Sequence, residues 1–193
     1  QAIQSVIDLF EGQHLNNSDF EFSFTDSNSG SLIFTESGVG NHLTLTEEEI
    51  TANLIKVQEK NNLKNGDAST QLEKLWYNDD SDTKGVVEGK TIVAPYPNFS
   101  VEMETGTGKT YVYLRSIYEL NKVYGFKKFV IVVPSVAIRE GVLKSLQITF
   151  EHFQEIYENQ PAEFKVYDSG RITDLGNFAK SNAIQILVIN IDS

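Results

Sequence analysis

Val101-Glu102-Met103-Glu104-Thr105-Gly106-Thr107-Gly108-Lys109-Thr110 is the stretch that decides the fold. The approach through Phe99, Val101 and Met103 alternates as a strand does, two glycines sit where the backbone must turn, and Lys109-Thr110 opens a run with helical spacing. Glycine reaches positive φ without steric cost and lets main-chain N–H groups crowd an anion. The helix that follows adds unsatisfied N–H groups and the positive end of its dipole. Lys109 brings a charge suited to β- and γ-phosphates, and the Thr110 hydroxyl is placed for a magnesium ion. Thr105, Gly106, Thr107, Gly108, Lys109 and Thr110 are therefore the expected nucleotide-binding residues, with Thr110 the expected metal ligand.

The general pattern is Gly, four residues, then Gly-Lys-Ser/Thr, and its first position here is Met103. Adenylate-kinase-like enzymes usually keep glycine at that position whereas helicase-like motors often replace it, so Met103 leans toward a motor.

Outward from this stretch, the carboxyl side alternates strand and helix. The spacing predicts a helix from Thr110 to about Tyr124, a buried strand Phe129–Val133, and a long helix from about Ser135 to Tyr157. A strand Phe164–Tyr167, a short helix Asp174–Lys180 and an apolar strand Ile186–Ile191 follow. Such alternation predicts an α/β fold, a parallel sheet with helices on both faces and ligands at the carboxyl ends of its strands. Pro134 ends one strand on that rim, Ser135 is positioned as an N-cap, and Arg139 is within reach of a phosphate there. An ordinary strand-to-helix turn with a surface arginine accounts for the same residues.

The amino side reads differently. Ile3, Val6, Ile7 and Phe10 lie at helical spacing, and because that helix begins at residue 1 without a cap, a longer chain is expected. Phe20, Phe22 and Phe24 alternate with polar residues, and Ser31–Thr35 and His42–Leu45 are further strand-like runs. The turn-rich stretches Asp26–Gly30 and Glu36–Gly40 separate them, which predicts a small antiparallel meander. Thr46-Glu47-Glu48-Glu49 is a capping box ahead of a helix over 46–60. Ser69 is placed to cap a short helix containing Trp76, and nothing in residues 13–97 carries recognisable chemistry.

Composition narrows the classes. The 193 residues are 40% hydrophobic and 22% charged, which fits one domain with a real core rather than a disordered chain. There is no cysteine, hence no disulfide framework or thiolate metal site, and three scattered histidines suggest no metal cluster. No apolar run approaches the length of a membrane span, so no membrane partner is expected and the cytoplasm is the expected location. The net charge of −11 opposes nucleic-acid binding in general, but residues 101–150 alone are basic, with 7 Lys+Arg against 4 Asp+Glu. Beyond Lys109 these cations are Arg115, Lys122, Lys127, Lys128, Arg139 and Lys144, a set that also suits a solvated face.

Met103–Tyr113, followed by Gly125–Gly141, resembles the Res subunit of type III restriction endonucleases, members of the helicase superfamily that includes the DEAD-box proteins. The similarity is dense over about residues 98–157. Gln1–Gln13 also resembles the helix after the adenine-recognising glutamine of such motors, and residues 14–97 fit as an insertion. The resemblance implies a partial first RecA-like motor domain over 1–193 with a P-loop parallel sheet, a small antiparallel β/α insertion, and ATP with Mg2+ as cofactors. Lys109 would be the catalytic charge, and Pro134, Ser135 and Arg139 would track a DNA strand through its backbone. The family couples ATP hydrolysis to movement on double-stranded DNA, works with a modification methyltransferase subunit, and cleaves DNA with a separate nuclease domain. The glutamine itself is not among these residues, and no water-activating carboxylate motif is visible. Asp192 follows an apolar strand as a Walker B aspartate would, yet no second carboxylate follows it, and in the family this strand precedes the acidic motif. The reading is thus of a chain that binds ATP rather than hydrolysing it efficiently alone. The rival readings are another helicase-family motor, a phosphate-loop small-molecule kinase, and a non-catalytic interaction module using the acidic first half.

Overall fold

The computed structural model describes residues 1–15, 17–25, 32–63, 85–87, 90–92, 99–168 and 172–191. In chain order its elements are α1 (Ala2–Asp8), β1 (Asn17–Thr25), β2 (Leu32–Asn41), α2 (Glu47–Lys60), β3 (Gly85–Val87) and β4 (Lys90–Ile92). Then come α3 (Lys109–Tyr124), β5 (Lys128–Val133), α4 (Val136–Ile156), β6 (Ala162–Val166), α5 (Ile172–Lys180) and β7 (Ile184–Asn190). The chain divides into two compact units, residues 1–11 with 45–107, and residues 12–44 with 108–193.

In the first unit α2 starts as its sequence dictates. The Thr46 side chain accepts from the Glu49 N–H, the Glu49 carboxylate accepts from the Thr46 N–H at 2.8 Å, and three glutamates occupy the first turn. A cap of this kind is worth about 1 kcal/mol. Leu9, Leu54 and Val57 form a small buried cluster with Phe10 and Phe99 against it. Asn53, buried among them, donates to the Leu9 and Glu11 carbonyls and so satisfies backbone at the end of α1. β3 and β4 pair antiparallel.

The second unit holds the sheet. β5 and β6 each pair parallel with β7, giving the order β5-β7-β6. Ile184, Ile186 and Val188 of β7 are buried against Leu114, Ile117 and Tyr118 of α3 and Val142, Leu146 and Phe153 of α4. The result is a mixed α/β arrangement, a three-stranded parallel sheet with helices around it. On β5 the alternation leaves Val130 and Val132 exposed while Val133 is buried. α3 and α4 meet through a stack of rings: Tyr118 lies 4.8 Å from Phe153 and 5.1 Å from Tyr157, and the Tyr111 hydroxyl meets His152 Nε2 at 2.9 Å.

Two expectations fail. The antiparallel meander is a two-stranded hairpin: the ladder runs from Asn17↔Asn41 to Thr25↔Leu32, so Glu36–Gly40 is strand rather than turn, and His42–Leu45 is not a strand. A nine-residue β1 draws those glycines into its ladder, and Asn41 fixes the end. Its Oδ1 accepts from the Lys127 and Lys128 amides at 2.7 and 3.0 Å, and its Nδ2 donates to the Lys128 carbonyl at 2.6 Å. Downstream, His42 and Thr44 are held by the buried Gln13 side chain instead, which donates to the His42 carbonyl and accepts from the Thr44 amide.

The second failure is the strand expected through Phe99, Val101 and Met103. No strand forms over 99–104. Alternation makes a strand only where a ladder partner exists, and here Phe99 packs on the Leu9–Leu54–Val57 cluster while Val101 is exposed. The helix expected after Ser69, with Trp76, lies outside the described residues, as does Asp192.

Candidate functional site

The Glu104–Thr110 segment is built from two local devices. The Thr107 hydroxyl donates to the Glu104 carbonyl at 2.6 Å and closes a turn, within which Gly106 has φ +83°. Gly108, at φ +81°, then serves as the N-cap of α3. Both conformations lie in the left-handed region that L side chains rarely adopt.

A glycine cap has no side chain to offer. The Val112 amide reaches the Gly108 carbonyl at 3.0 Å, and the amides of Lys109, Thr110 and Tyr111 before it have no hydrogen-bond partner among the described residues. No acidic residue occupies this first turn. The contrast with α2, capped by Thr46 and faced by three glutamates, shows how differently the two helix starts treat their positive ends. Lys109 is exposed, and no hydrogen bond or ion pair among the described residues engages its ammonium. One turn on, burial pushes the Tyr113 phenol above its ordinary value, with the Thr110 hydroxyl partly opposing the rise.

The second candidate, at the carboxyl end of β5, is more elaborate than expected. Ser135 is extended, at φ −152°, and its Oγ accepts from the Ile138 amide at 3.4 Å, so it is the N-cap of α4. The Val136 and Ala137 amides have no partner among the described residues. Arg139 does not simply face water. Its Nη1 donates to Asn190 Oδ1 at 3.0 Å, while Nε and Nη2 both donate to Glu140 Oε1, at 3.3 and 3.1 Å. Asn190 is buried at the carboxyl end of β7, next to Ile191, whose amide bonds the Val133 carbonyl. The geometry thus joins Pro134, Ser135 and Arg139 with Asn190 on one rim. The signal for Asn190 was a polar residue interrupting an apolar strand; Glu140 had none beyond adjacency.

The other cations of the basic middle third are mostly engaged within the fold. Arg115 lies 3.7 Å from Glu119, and Lys122 sits over the Tyr157 ring. Lys127 donates to Asn182, and Lys128 donates to the Ser181 carbonyl and covers the Phe178 ring. Burial, with the neighbouring Lys127 charge, lowers Lys128 to about 8. These last two stand where the strands begin, at the opposite pole from Pro134 and Arg139. Among the described residues no group of three or more His, Cys, Asp or Glu could hold a metal ion, and no helix is long and apolar enough to cross a membrane.

A three-stranded parallel sheet with helices around it places the chain among mixed α/β proteins. Residues 88–193 match the family described as type III restriction enzyme, res subunit, and the chain belongs to that family. The type III restriction-modification enzyme StyLTI Res subunit of Salmonella typhimurium is 44% identical over 112 residues, 48% of this chain and 11% of that protein. The EcoPI Res subunit of Escherichia phage P1 is 33% identical over 145 residues, 74% of this chain and 12% of that protein. The EcoP15I Res subunit of Escherichia coli is 45% identical over 62 residues, 31% of this chain and 6% of that protein. The chain therefore spans only a small part of the length of the relatives it matches.

Proposed function

We propose that this chain is the ATP-binding part of the DNA-translocating motor of a type III restriction enzyme, a partial first RecA-like domain over residues 1–193 with residues 14–97 as an insertion. The observation that carries the reading is the start of α3: two left-handed glycines lead into a helix whose first three amides, like the Lys109 ammonium beside them, have no partner among the described residues. That donor set suits a polyphosphate, because free N–H groups, a helix dipole and an ammonium all favour accumulated negative charge. An added Cβ at Gly106 or Gly108 would meet nothing within 4 Å, so the backbone stands open to a ligand. Family membership favours a motor over a small-molecule kinase or a non-catalytic module.

Within this reading Thr105, Gly106, Thr107 and Gly108 would supply backbone, Lys109 would neutralise the β- and γ-phosphates, and the Thr110 hydroxyl would hold magnesium. Bound ATP with Mg2+ supplies the phosphoryl chemistry that drives movement. The described residues account for binding; a water-activating carboxylate and an arginine finger, which hydrolysis also needs, are not assigned to any of them. Pro134, Ser135 and Arg139 contact the backbone of double-stranded DNA, a modification methyltransferase subunit is the protein partner, and the setting is cytoplasmic.

Lys109→Ala tests this. Loss of a charge-assisted contact worth about 1.5–3 kcal/mol weakens Mg-ATP binding by roughly one to two orders of magnitude. Titration calorimetry reads the change, and an unaltered affinity overturns the assignment.

A further inference from the structure

Arg139 offers two edges of its guanidinium, and in this structure both are taken. Asn190, buried and neutral, holds Nη1 from the carboxyl end of β7. The Nε/Nη2 edge, the fork that matches the paired oxygens of a phosphate, is met by one oxygen of Glu140 at 3.3 and 3.1 Å. The two partners differ in permanence. Arg139 is 22% exposed at its side chain and anchored to the sheet, whereas Glu140 is 62% exposed and approaches from the solvent side. A single carboxylate oxygen serving two donors is a poorer match than two phosphate oxygens serving one each. Exposed ion pairs of this sort contribute little to stability, so exchange of one anion for another costs little.

We propose that Glu140 is an internal stand-in for a DNA phosphate: it occupies the Nε/Nη2 edge of Arg139 until a phosphodiester displaces it, while Asn190 keeps the guanidinium on the rim. This rests on the reading of Pro134–Arg139 as a backbone-tracking surface and adds a gate to it. Asn190 is a positioning residue, Arg139 the contact, and Glu140 the competitor. The Val136 and Ala137 amides at the start of α4, unpartnered among the described residues, give the incoming phosphate further donors beside the arginine.

The test uses the full-length protein that carries this chain and a short fluorescein-labelled DNA duplex, with binding followed by anisotropy at low salt. Glu140→Gln, an exposed and nearly isosteric change, raises affinity roughly fivefold by removing the competitor. In an Arg139→Ala background the same change gives no gain, and in Arg139→Lys, which keeps the charge without the fork, the gain shrinks. An equal gain in all three backgrounds would mean that Glu140 acts only through the general field, and the gate is wrong. No gain in the parent protein overturns it equally. If Arg139→Ala alone leaves DNA affinity unchanged, the failure belongs to the backbone-tracking reading, which is thereby told apart from failure of the gate.

Discussion

Gly108 shows how much a single position can decide. It caps α3 at φ +81°, and because an added Cβ would touch nothing within 4 Å, replacing it with alanine has a purely conformational cost. That cost is about 1–2 kcal/mol for an L residue held in the left-handed region, and asparagine, which tolerates the region better, recovers part of it. Urea unfolding of Gly108→Ala and Gly108→Asn gives the comparison, and equal stability of Gly108→Ala and the parent would refute the strained cap. Gly125 is a different case: at φ +74° its substitution meets Leu15 Cδ2 at 3.3 Å, so conformation and contact both oppose a side chain there. The Gly106/Gly108 turn was legible because two glycines spaced so closely before a helical run point directly to positive φ. Arg139 was legible as a cation at the head of a helix, but not as the partner of Asn190, since contact across 51 residues is a property of sheet order rather than of spacing.

Elements with internal signals were read correctly, and those needing a partner were not. α2 declared itself through Thr46 and Glu49, whose reciprocal bonds are local. α3, β5, α4, β6, α5 and β7 followed from period and order, the last as a continuous apolar run buried on both faces. The segment 99–103 alternates as a strand does but has no ladder to join, and Phe99 found an apolar site among the α1–α2 residues. Glu36–Gly40 looked like a turn because two glycines weaken a strand, yet pairing with β1 overrides that preference. The contact between α3 and α4 also carries a titration. Burial, with a hydrogen bond donated to Glu119, raises the Tyr157 phenol to about 12, with Arg115 opposing. In the unfolded chain the phenol ionises near its ordinary value of 10, so this group's stabilisation is intact below pH 10 and is lost as pH climbs from there through 12. Thermal melts across that window steepen less for Tyr157→Phe than for the parent. Identical slopes in the two proteins would exclude Tyr157 as the source.

At the scale of the whole molecule, the acidic balance of −11 and the family assignment meet in the distribution of cations. Five of the six lysines and arginines noted in the basic middle third already serve intramolecular contacts, and Arg139 alone of those five stands on the carboxyl rim beside Pro134 and Ser135. Total charge was therefore a poor guide, because it ignored which pole of the sheet each cation occupies. The order β5-β7-β6 has a consequence during synthesis on the ribosome. β5 and β6 emerge first yet share no ladder, and the strand that joins them is the last of the three to leave the exit tunnel. Loop closure over such separations is slow, and the uncovered apolar strands wait for it. Stalled nascent chains ending within α5 accordingly remain open to protease across β5 and α4. Protection arrives abruptly once Ile184–Asn190 is free to thread between the waiting pair, so translation speed over α5 and β7 sets how long this segment depends on chaperones.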